Sequence, residues 1–479
     1  MSISPEVRPL THVSGFSIAD REQTWPDKAV FGRGLRRASQ VVSCLELEHV
    51  SSHLGHHRSQ PSTSIPFSKA MKTSHVMPLP LPLPLRPPLP LPPLPPPPLP
   101  PLPPPPPPLS RRGTDARHKL DVERTAERIL RSFSMAPMLR IRPRQAVCFV
   151  FTGSGAQWFS MGRELLAYDV FRTSLETSGR LLEGMGCGWS LIEEMFFSKK
   201  PRMDEPSVFQ PACTALQLAL ADLLDSWSVR PSVVVGHSSG EIAAAYVKRA
   251  ISRRSALKIA FARGLVSDRM TRGGGMHAVG LGEEQVEPLI SLVQQDGSYV
   301  VVGCDNSPES VTISGDLDAL AKTQLLLEKL KVFNRRVRVK NAYHAVHVDE
   351  VADAYLDAIG ELSAGREEEE VDMFSSVTGG QVGSERLREA SYWVSNLKQQ
   401  VKFRDAMGCV LAAARGGKRE GSLMVTEIGP HPALQSAIQQ TFNYNENRER
   451  THLIYTSMLS REQSGVRTAL EAMDGYWSA

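Results

Sequence analysis

Apolar and polar residues follow a regular pattern only in the second part of the chain. Residues 1 to about 75 show no sustained helical or strand period, and residues 76–109 are almost only proline and leucine. Proline has a fixed φ and no backbone N–H, so this run is predicted to be an extended arm. We therefore predict that residues 1–113 are disordered and that an amphipathic linker helix lies within residues 114–144.

Beyond this linker, apolar runs predict buried strands and helices. Val147–Phe151 is an apolar strand that runs into a glycine-bearing turn, and Pro211–Trp227 is a leucine-rich helix. Further elements are predicted as follows: helices at Met161–Ala167, Ser255–Met270 and Ala342–Ile359, strands at Phe374–Thr378 and Val425–Ile428, and a helix that ends the tail from His452.

The stretch Val233–Ile242 has the pattern of a nucleophile elbow. Three valines lead into Gly-His-Ser-Ser-Gly, and an alanine-rich helix over Ile242–Val247 follows at once. In such a strand–turn–helix unit the serine hydroxyl projects into a cleft near a helix N-terminus, which favours developing negative charge. The flanking glycines fit this geometry because a Cβ would crowd the tight turn. Ser238 is therefore the candidate nucleophile.

Between residues 275 and 340 the elements follow a different order. A strand, a helix, two strands, a helix and a strand are predicted at Met276–Val279, Glu283–Gln294, Tyr299–Cys304, Ser310–Ser314, Leu317–Leu330 and Arg335–Val339. This βαββαβ order is that of a ferredoxin-like unit. The predicted fold class is thus α/β: an α/β-hydrolase-like large subdomain with a parallel sheet and the nucleophile elbow, and an inserted ferredoxin-like small subdomain over about 275–340.

Composition and charge argue against several classes of protein. The 479-residue chain has a net charge of +4, too small to indicate nucleic-acid binding. Its six cysteines are scattered and show no metal-binding spacing, as in proteins of a reducing compartment. The stretch Met1–Trp25 lacks the apolar core of a signal peptide, and no proline-free apolar run is long enough to cross a membrane. We expect a cytoplasmic protein without a metal ion and without membrane or nucleic-acid partners.

A serine hydroxyl needs a general base to act as a nucleophile at neutral pH. Five histidines follow the elbow: His277, His344, His347, His431 and His452. His344 and His347 come directly after a predicted strand, at a position where side chains converge on a cleft. The residue pattern alone does not decide between them.

Several sequence blocks occur in an order typical of one enzyme family. They are Phe149–Trp158, Phe209–Leu216, Gly236–Glu241, Asn306–Gly315, Phe374–Gly379, Tyr392–Leu397 and Glu427–Pro432. Through these blocks, residues 145–475 resemble the malonyl-CoA:acyl-carrier-protein acyltransferase domain of fungal polyketide synthases of the highly reducing type. The resemblance implies transfer of a malonyl extender group from malonyl-CoA to the phosphopantetheine thiol of an acyl carrier protein, without a bound cofactor.

The resemblance also implies roles for individual residues. Ser238 would form the acyl ester, His344 would be its base, and Arg263, 25 residues beyond the serine, would bind the malonyl carboxylate. A guanidinium suits this task because it grips a carboxylate through two parallel hydrogen bonds. The remaining implied positions are the backbone N–H groups of Ser154 and Ser239 as the oxyanion hole, Gln210, Asn306 and His237 in the substrate pocket, and the backbone of residues 429–431 as a support for His344.

Three substitutions depart from the family pattern and leave alternatives open. Ser154 stands where the family usually has glutamine, Ala345 where the histidine box has serine, and Arg249 where a glycine usually follows the elbow helix. An active transferase would work with a carrier protein, and with a ketosynthase or other synthase parts in trans. The alternatives are a catalytically weak or inactive fragment of a polyketide synthase, and a serine esterase or thioesterase with the same elbow. Only the resemblance favours a malonyl over a methylmalonyl donor.

Overall fold

The computed structural model describes residues 146–478, except residues 296, 366–370, 415–420, 447 and 449–450. The predicted disordered region over 1–113, with its proline-rich arm, and the predicted linker helix over 114–144 lie outside the described residues. The described part contains two β-sheets with helices packed against them.

The large subdomain is built on a five-stranded sheet in which every pairing is parallel. Its strands, in spatial order, are β10 (Thr451–Ser457), β9 (Gly421–Ile428), β1 (Ala146–Phe151), β2 (Val233–Gly236) and β7 (Asp372–Phe374). The central strands β1 and β2 are mostly buried apolar runs, as in parallel sheets covered by helices on both faces.

The register of the three central strands sets where the functional residues meet. The last residue of β1, Phe151, lies beside Gly236 of β2 on one side and Ile428 of β9 on the other. The loops that follow these three strands therefore leave the sheet at the same edge.

Helices pack around this sheet and supply much of the buried core. In chain order the described α-helices are α1 (Asp169–Glu183), α2 (Leu191–Phe196), α3 (Pro206–Ser226), α4 (Glu241–Val247), α5 (Arg253–Asp268), α6 (Glu283–Gln294), α7 (Leu317–Lys329), α8 (Ala352–Ile359), α9 (Ser384–Leu387), α10 (Ala390–Lys398), α11 (Phe403–Ala413), α12 (Gln435–Tyr444) and α13 (Gly465–Ser478). By length and composition alone, α3 would suffice to cross a membrane, but 83% of its apolar window is buried inside the protein, as in a core helix.

The second sheet forms the small subdomain. Its strands β3 (Gly275–Val279), β4 (Val300–Ser307), β5 (Ser310–Gly315) and β6 (Asn334–Arg336) lie in the antiparallel order β6-β3-β5-β4, with α6 and α7 as the connecting helices. This is the ferredoxin-like arrangement, so the predicted α/β fold class is confirmed. A strand that the sequence pattern does not indicate, β8 (Val401–Lys402), extends the sheet by pairing parallel with β4.

Two predicted boundaries are wrong for identifiable local reasons. The strand predicted at Phe374–Thr378 ends at Phe374, because the hydroxyl of Ser375 accepts hydrogen bonds from the backbone N–H groups two and three residues further on and closes a turn. The helix predicted over Ala342–Ile359 begins only at Val346, as a 3₁₀ turn, since His344 has a φ of 57° that no right-handed helix accommodates.

The remaining differences concern short or amphipathic elements. The predicted helix at Met161–Ala167 is a 3₁₀ helix over Arg163–Ala167, and the predicted strand at Arg335–Val339 is the shorter β6. Elements without a sequence prediction are α1, α2, α9, α10, α11, α12, β8 and β10.

Candidate active site

The elbow geometry explains why glycines flank Ser238. A Cβ added at Gly236 would lie 2.2 Å from the backbone nitrogen of Glu241, and one added at Gly240 would lie 2.2 Å from the carbonyl oxygen of Phe151. Neither position can therefore hold a side chain. Between them Ser238 has a φ of 52°, a left-handed conformation that costs about 1 to 2 kcal/mol for a residue with a Cβ. The close packing of β1, β2 and α4 holds it there.

The structure brings Ser238 and His344 into direct contact. The serine Oγ lies 2.8 Å from Nε2 of His344, although 106 residues separate them in sequence. The other ring nitrogen, Nδ1, lies 2.8 Å from the carbonyl oxygen of Gln399. Because a carbonyl can only accept, Nδ1 carries the proton, which leaves Nε2 free to accept the serine hydroxyl.

The surroundings of His344 keep its imidazole neutral. Burial, and then the nearby guanidinium of Arg263, lower the pKa of His344 to about 3, and the hydrogen bond to Gln399 opposes this only in part. At neutral pH the group is thus an unprotonated base in hydrogen-bond contact with the candidate nucleophile.

The other candidate histidines have different surroundings. Nε2 of His347 lies 2.8 Å from a carboxylate oxygen of Asp316, and Nδ1 of His431 accepts from the backbone N–H of Arg461. His277 is buried within β3, and His452 is exposed at the start of β10. Among the five histidines it is His344 that contacts Ser238.

The expected support of His344 by residues 429–431 is wrong. The carbonyl oxygen of Gln399, just after α10, accepts from Nδ1 instead. The carbonyl of Pro430 accepts from the indole N–H of Trp158 at 2.9 Å, so that segment supports the loop after β1.

Arg263 lies beside the pair as a buried cation. Its side chain projects from α5 with 1% exposure; Nη1 donates to Oδ1 of Asn396 at 2.7 Å and Nη2 donates to Oγ of Ser238 at 3.1 Å. Within the described part of the chain it forms no ion pair with a carboxylate, and its Nε has no hydrogen-bond partner. A buried cation without a counter-charge is costly, so this position favours an anionic ligand.

A network that sequence reasoning missed holds Arg263 and the elbow together. The amide nitrogen of Asn396 donates to the carbonyl oxygen of Ser238 at 3.0 Å and to the carboxylate of Glu241 at 3.2 Å. Glu241 is fully buried and also accepts from the hydroxyls of Ser376 and Tyr392. Burial raises the pKa of Glu241, and these hydrogen bonds oppose the rise. Glu241 lies in the sequence block at 236–241, and Asn396 lies in the block at 392–397. These blocks were the available sequence signal for the two residues.

The two predicted oxyanion-hole residues lie next to each other. The hydroxyl oxygens of Ser154 and Ser239 are 3.1 Å apart, although one residue follows β1 and the other follows the nucleophile. The next residue of the first loop, Gly155, donates its backbone N–H to Oε1 of Gln157 at 2.8 Å.

His237, which follows β2 of the large subdomain, contacts Asn306 in β4 of the small subdomain. Nε2 of His237 lies 2.8 Å from Oδ1 of Asn306, and the amide nitrogen of Asn306 donates to the hydroxyl of Thr312 at 3.1 Å. The His237 ring also packs against Phe403, with 5.4 Å between ring centroids. These contacts tie the polar groups of Asn306 and of His237, the residue before Ser238, to each other.

Gln210 belongs to a buried polar group near Arg263. It is 2% exposed, and its Nε2 has no hydrogen-bond partner among the described residues; the same holds for the hydroxyl of Tyr343. Burial raises the pKa of Tyr343, while Ser267, and then Arg263, oppose the rise. A cleft of about 370 Å³ also reaches His344 from the small subdomain. The site thus combines a candidate nucleophile, a candidate base, a buried cation and unpaired polar groups.

Comparisons with known proteins show the family of this chain. The family model described as "Acyl transferase domain" matches residues 148–477. The chain belongs to the acyl transferase domain family. The resemblance deduced from the sequence blocks is therefore confirmed at the level of the family.

Curated relatives of this acyl transferase domain are fungal polyketide synthases. The chain is 41% identical to the reducing polyketide synthase FUB1 of Gibberella moniliformis over 361 residues, which cover 73% of this chain and 15% of that protein. It is also 41% identical to the highly reducing polyketide synthase sdnO of Sordaria araneosa over 343 residues, or 70% of this chain and 11% of that protein. The chain thus spans a small share of the length of these relatives.

A solved structure shares the fold of the acyl transferase domain. The loading acyltransferase from the avermectin modular polyketide synthase superposes with a TM-score of 0.62 at 28% identity, covering 69% of this chain and 99% of that one.

Proposed function

We propose that this acyl transferase domain moves a malonyl group from malonyl-CoA to the phosphopantetheine thiol of an acyl carrier protein in polyketide synthesis. The observation that carries the proposal is the buried, unpaired guanidinium of Arg263, which donates to the Oγ of Ser238 at 3.1 Å. A carboxylate on the acyl group would supply the missing counter-charge within reach of the nucleophile.

In the first half of the reaction, Ser238 takes the acyl group. His344 accepts the serine proton at Nε2 as Oγ attacks the thioester carbonyl, and the backbone N–H groups of Ser154 and Ser239 stabilise the oxyanion. The C–S bond then breaks, and the thiol of coenzyme A leaves with the proton from His344. The carbonyl of Gln399 holds the imidazole in the required tautomer throughout.

In the second half, the thiol of the carrier protein, and not water, accepts the acyl group from Ser238. His344 takes the thiol proton, the sulfur attacks the seryl ester, and the proton returns to Oγ of Ser238 as the ester bond breaks. The transfer needs no bound cofactor or metal ion. Ketosynthase and other synthase parts would act in trans or alongside, in the cytoplasm.

Arg263 also links substrate recognition to the strength of the base. In the free site its positive charge is the second largest cause of the low pKa of His344. A bound malonyl carboxylate would neutralise part of that charge, so the pKa of His344 would rise and the imidazole would accept the serine proton more readily. Acetyl-CoA, which lacks the carboxylate, would leave the base weak.

The alternative of a weak or inactive domain rests on the substituted positions. Ser154 keeps the backbone donor that the oxyanion hole needs, and Ala345 is buried at 4% exposure beside His344. Arg249 lies two residues beyond the end of α4 and has a φ of 64°. The short contacts of Ser238 with both His344 and Arg263 favour an active site over a decayed one.

The test is intact-protein mass spectrometry after mixing the purified chain with malonyl-CoA, with Ser238→Ala as control. A malonyl-sized gain in the wild type only, which a carrier protein then removes faster than water does, is the expected result. A folded wild type that gains no mass would contradict the transferase, and removal by water at the same rate would favour an esterase. Parallel incubations with methylmalonyl-CoA and acetyl-CoA define the donor.

A further inference from the structure

A second buried carboxylate, Glu427, lies near the site without touching the reacting residues. It is the penultimate residue of β9 and has no exposed surface. Its oxygens accept from the hydroxyl of Thr152 at 3.0 Å, the backbone N–H of Leu434 at 3.1 Å and the hydroxyl of Tyr455 at 2.6 Å. Burial raises the pKa of Glu427 to about 7, and these donors oppose the rise. A carboxylate in such a position is costly unless all its partners are kept in place.

The partner nearest the reaction is Thr152, which is fixed at three atoms. Its backbone N–H donates to the carbonyl of Ile428 at 3.2 Å, its carbonyl accepts from Nε2 of Gln217 at 2.8 Å, and its hydroxyl donates to Glu427. Thr152 is the first residue after β1 and lies two residues before Ser154. Any shift of Thr152 therefore passes directly into the loop proposed to bind the oxyanion.

The space around this loop leaves it little freedom to adjust. A Cβ on Gly429 would lie 2.1 Å from the Thr152 hydroxyl, and a Cβ on Gly153 would lie 2.7 Å from the carbonyl oxygen of His237. The loop after β1 is thus closely packed between the end of β9 on one side and the nucleophile elbow on the other. At its far end the indole of Trp158 is fixed by the carbonyl of Pro430.

We propose that Glu427 is a positioning residue for acyl transfer, which holds Thr152 and thereby the backbone N–H of Ser154 in the oxyanion hole. The proposal rests on the function proposed above, since it assumes that an acyl oxyanion forms at Ser238. It gives the segment 427–432 a task different from the support of His344: it fixes the loop after β1.

Removal of the Thr152 hydroxyl is the most direct way to break the contact between Glu427 and the loop after β1. Thr152→Val keeps the branched shape and removes the donor to Glu427, whereas Thr152→Ser keeps the donor. Tyr455→Phe is the matched control, because it also removes one donor to Glu427, but on β10 and away from the loop. If the carboxylate of Glu427 had a purely structural role, Thr152→Val and Tyr455→Phe would change the acylation rate to the same extent.

The experiment measures the rate of Ser238 acylation in the full chain by rapid-quench mass spectrometry, with p-nitrophenyl acetate and with malonyl-CoA as donors. p-Nitrophenyl acetate needs the oxyanion hole but has no carboxylate for Arg263. We expect Thr152→Val to lower the maximal acylation rate about 10- to 100-fold with both donors, with the half-saturating donor concentration nearly unchanged. Thr152→Ser should recover most of the rate, and Tyr455→Phe should change it less than about threefold at a similar loss of thermal stability.

The outcomes separate this proposal from the malonyl assignment. A wild type that reacts with p-nitrophenyl acetate but not with malonyl-CoA, and whose Thr152→Val variant is slow, supports the positioning role and contradicts malonyl transfer. A Thr152→Val variant that reacts at the wild-type rate overturns the positioning role, as does a Tyr455→Phe variant that is equally slow. A folded wild type acylated by neither donor overturns both.

Discussion

The proposed nucleophile and the proposed base are held in different ways. Ser238 and His344 both have left-handed backbones, with φ values of 52° and 57°. The serine is enclosed by backbone atoms that lie too close for any side chain at Gly236 or Gly240. The histidine instead depends on directional hydrogen bonds: its backbone N–H donates to the carbonyl of Leu397 at 3.1 Å, and its Nδ1 donates to the carbonyl of Gln399.

Steric exclusion thus fixes the proposed nucleophile, and hydrogen bonding fixes the proposed base. A substitution at a sterically fixed position should have a large effect, because close-packed atoms cannot make room for a new group by small shifts. Positions fixed by hydrogen bonds respond to charge and to pH. Substitutions at Gly236, Arg263 and Arg249 and the pH dependence of stability test this contrast.

Substitution of an elbow glycine should have the largest effect. In Gly236→Ala the new methyl group would lie 2.2 Å from backbone atoms of the next turn, so the elbow must open. We expect a loss of stability of about 3 kcal/mol or more and no detectable seryl ester, measured by denaturant unfolding and intact mass.

The matched control for this change is Gly380→Ala, because a Cβ at Gly380 would meet no atom within 4 Å. Its stability should change by less than about 1 kcal/mol. Equal losses in the two variants would show that steric exclusion at the elbow is not the cause.

Arg263→Lys should remove recognition of the carboxylate while keeping a positive charge. Lysine cannot form two parallel hydrogen bonds to a carboxylate, nor reach Asn396 and Ser238 together as the fork of Arg263 does. We expect kcat/KM for malonyl-CoA to fall about 100-fold, or about 3 kcal/mol, with little change for p-nitrophenyl acetate. An equal fall for both donors would mean that Arg263 acts on the serine and not on the substrate.

The stability of the protein should depend on pH through His344. Its pKa is about 3 in the folded protein and near 6.5 when unfolded, so between these values the unfolded chain binds a proton that the folded chain does not. The contribution to stability is thus fully present above about pH 6.5 and is lost as the pH falls, by about 1.4 kcal/mol per pH unit.

The measurement compares the wild type with His344→Gln by denaturant unfolding from pH 7.5 to pH 5. The difference in unfolding free energy between the two should shrink as the pH is lowered. A difference that stays constant would show that His344 titrates normally in the folded protein.

The smallest effect is expected at a third left-handed residue that lies outside the site. Arg249, two residues beyond the end of α4, has a φ of 64°, a conformation that favours glycine. Arg249→Gly should stabilise the protein by about 1 kcal/mol and leave seryl-ester formation unchanged. A loss of stability on thermal unfolding would show that the arginine side chain makes a compensating contact.

The sequence revealed the parts of the site whose chemistry depends on residue type and spacing. The elbow is visible because three valines, two glycines and an alanine-rich helix obey local rules of backbone shape. The ferredoxin-like order of elements is visible because its strands and helices differ in apolar period. The family blocks then added Arg263 and the preference for His344.

What the sequence did not reveal depends on contacts between distant segments. The partner of His344 is a backbone carbonyl, at Gln399, and a carbonyl has no residue signature. The sequence does not show that Glu241, Asn396 and Glu427 are buried. In the fold, Glu241 contacts Asn396, whereas Glu427 contacts Thr152 and Tyr455. Strand β8 is only two residues long, too short to show a period.

Strand β8 also determines how this domain can be recombined with its relatives. A designer who exchanged residues 275–340 as one cassette would replace β4 but keep the native Val401–Lys402 that pairs with it. The graft would therefore join a foreign sheet to a native edge strand, two residues after the carbonyl that holds His344. A chimera that carries residues 341–344 and 399–402 together with the cassette keeps β8 beside β4 and keeps His344 with the carbonyl of Gln399 within a single parent.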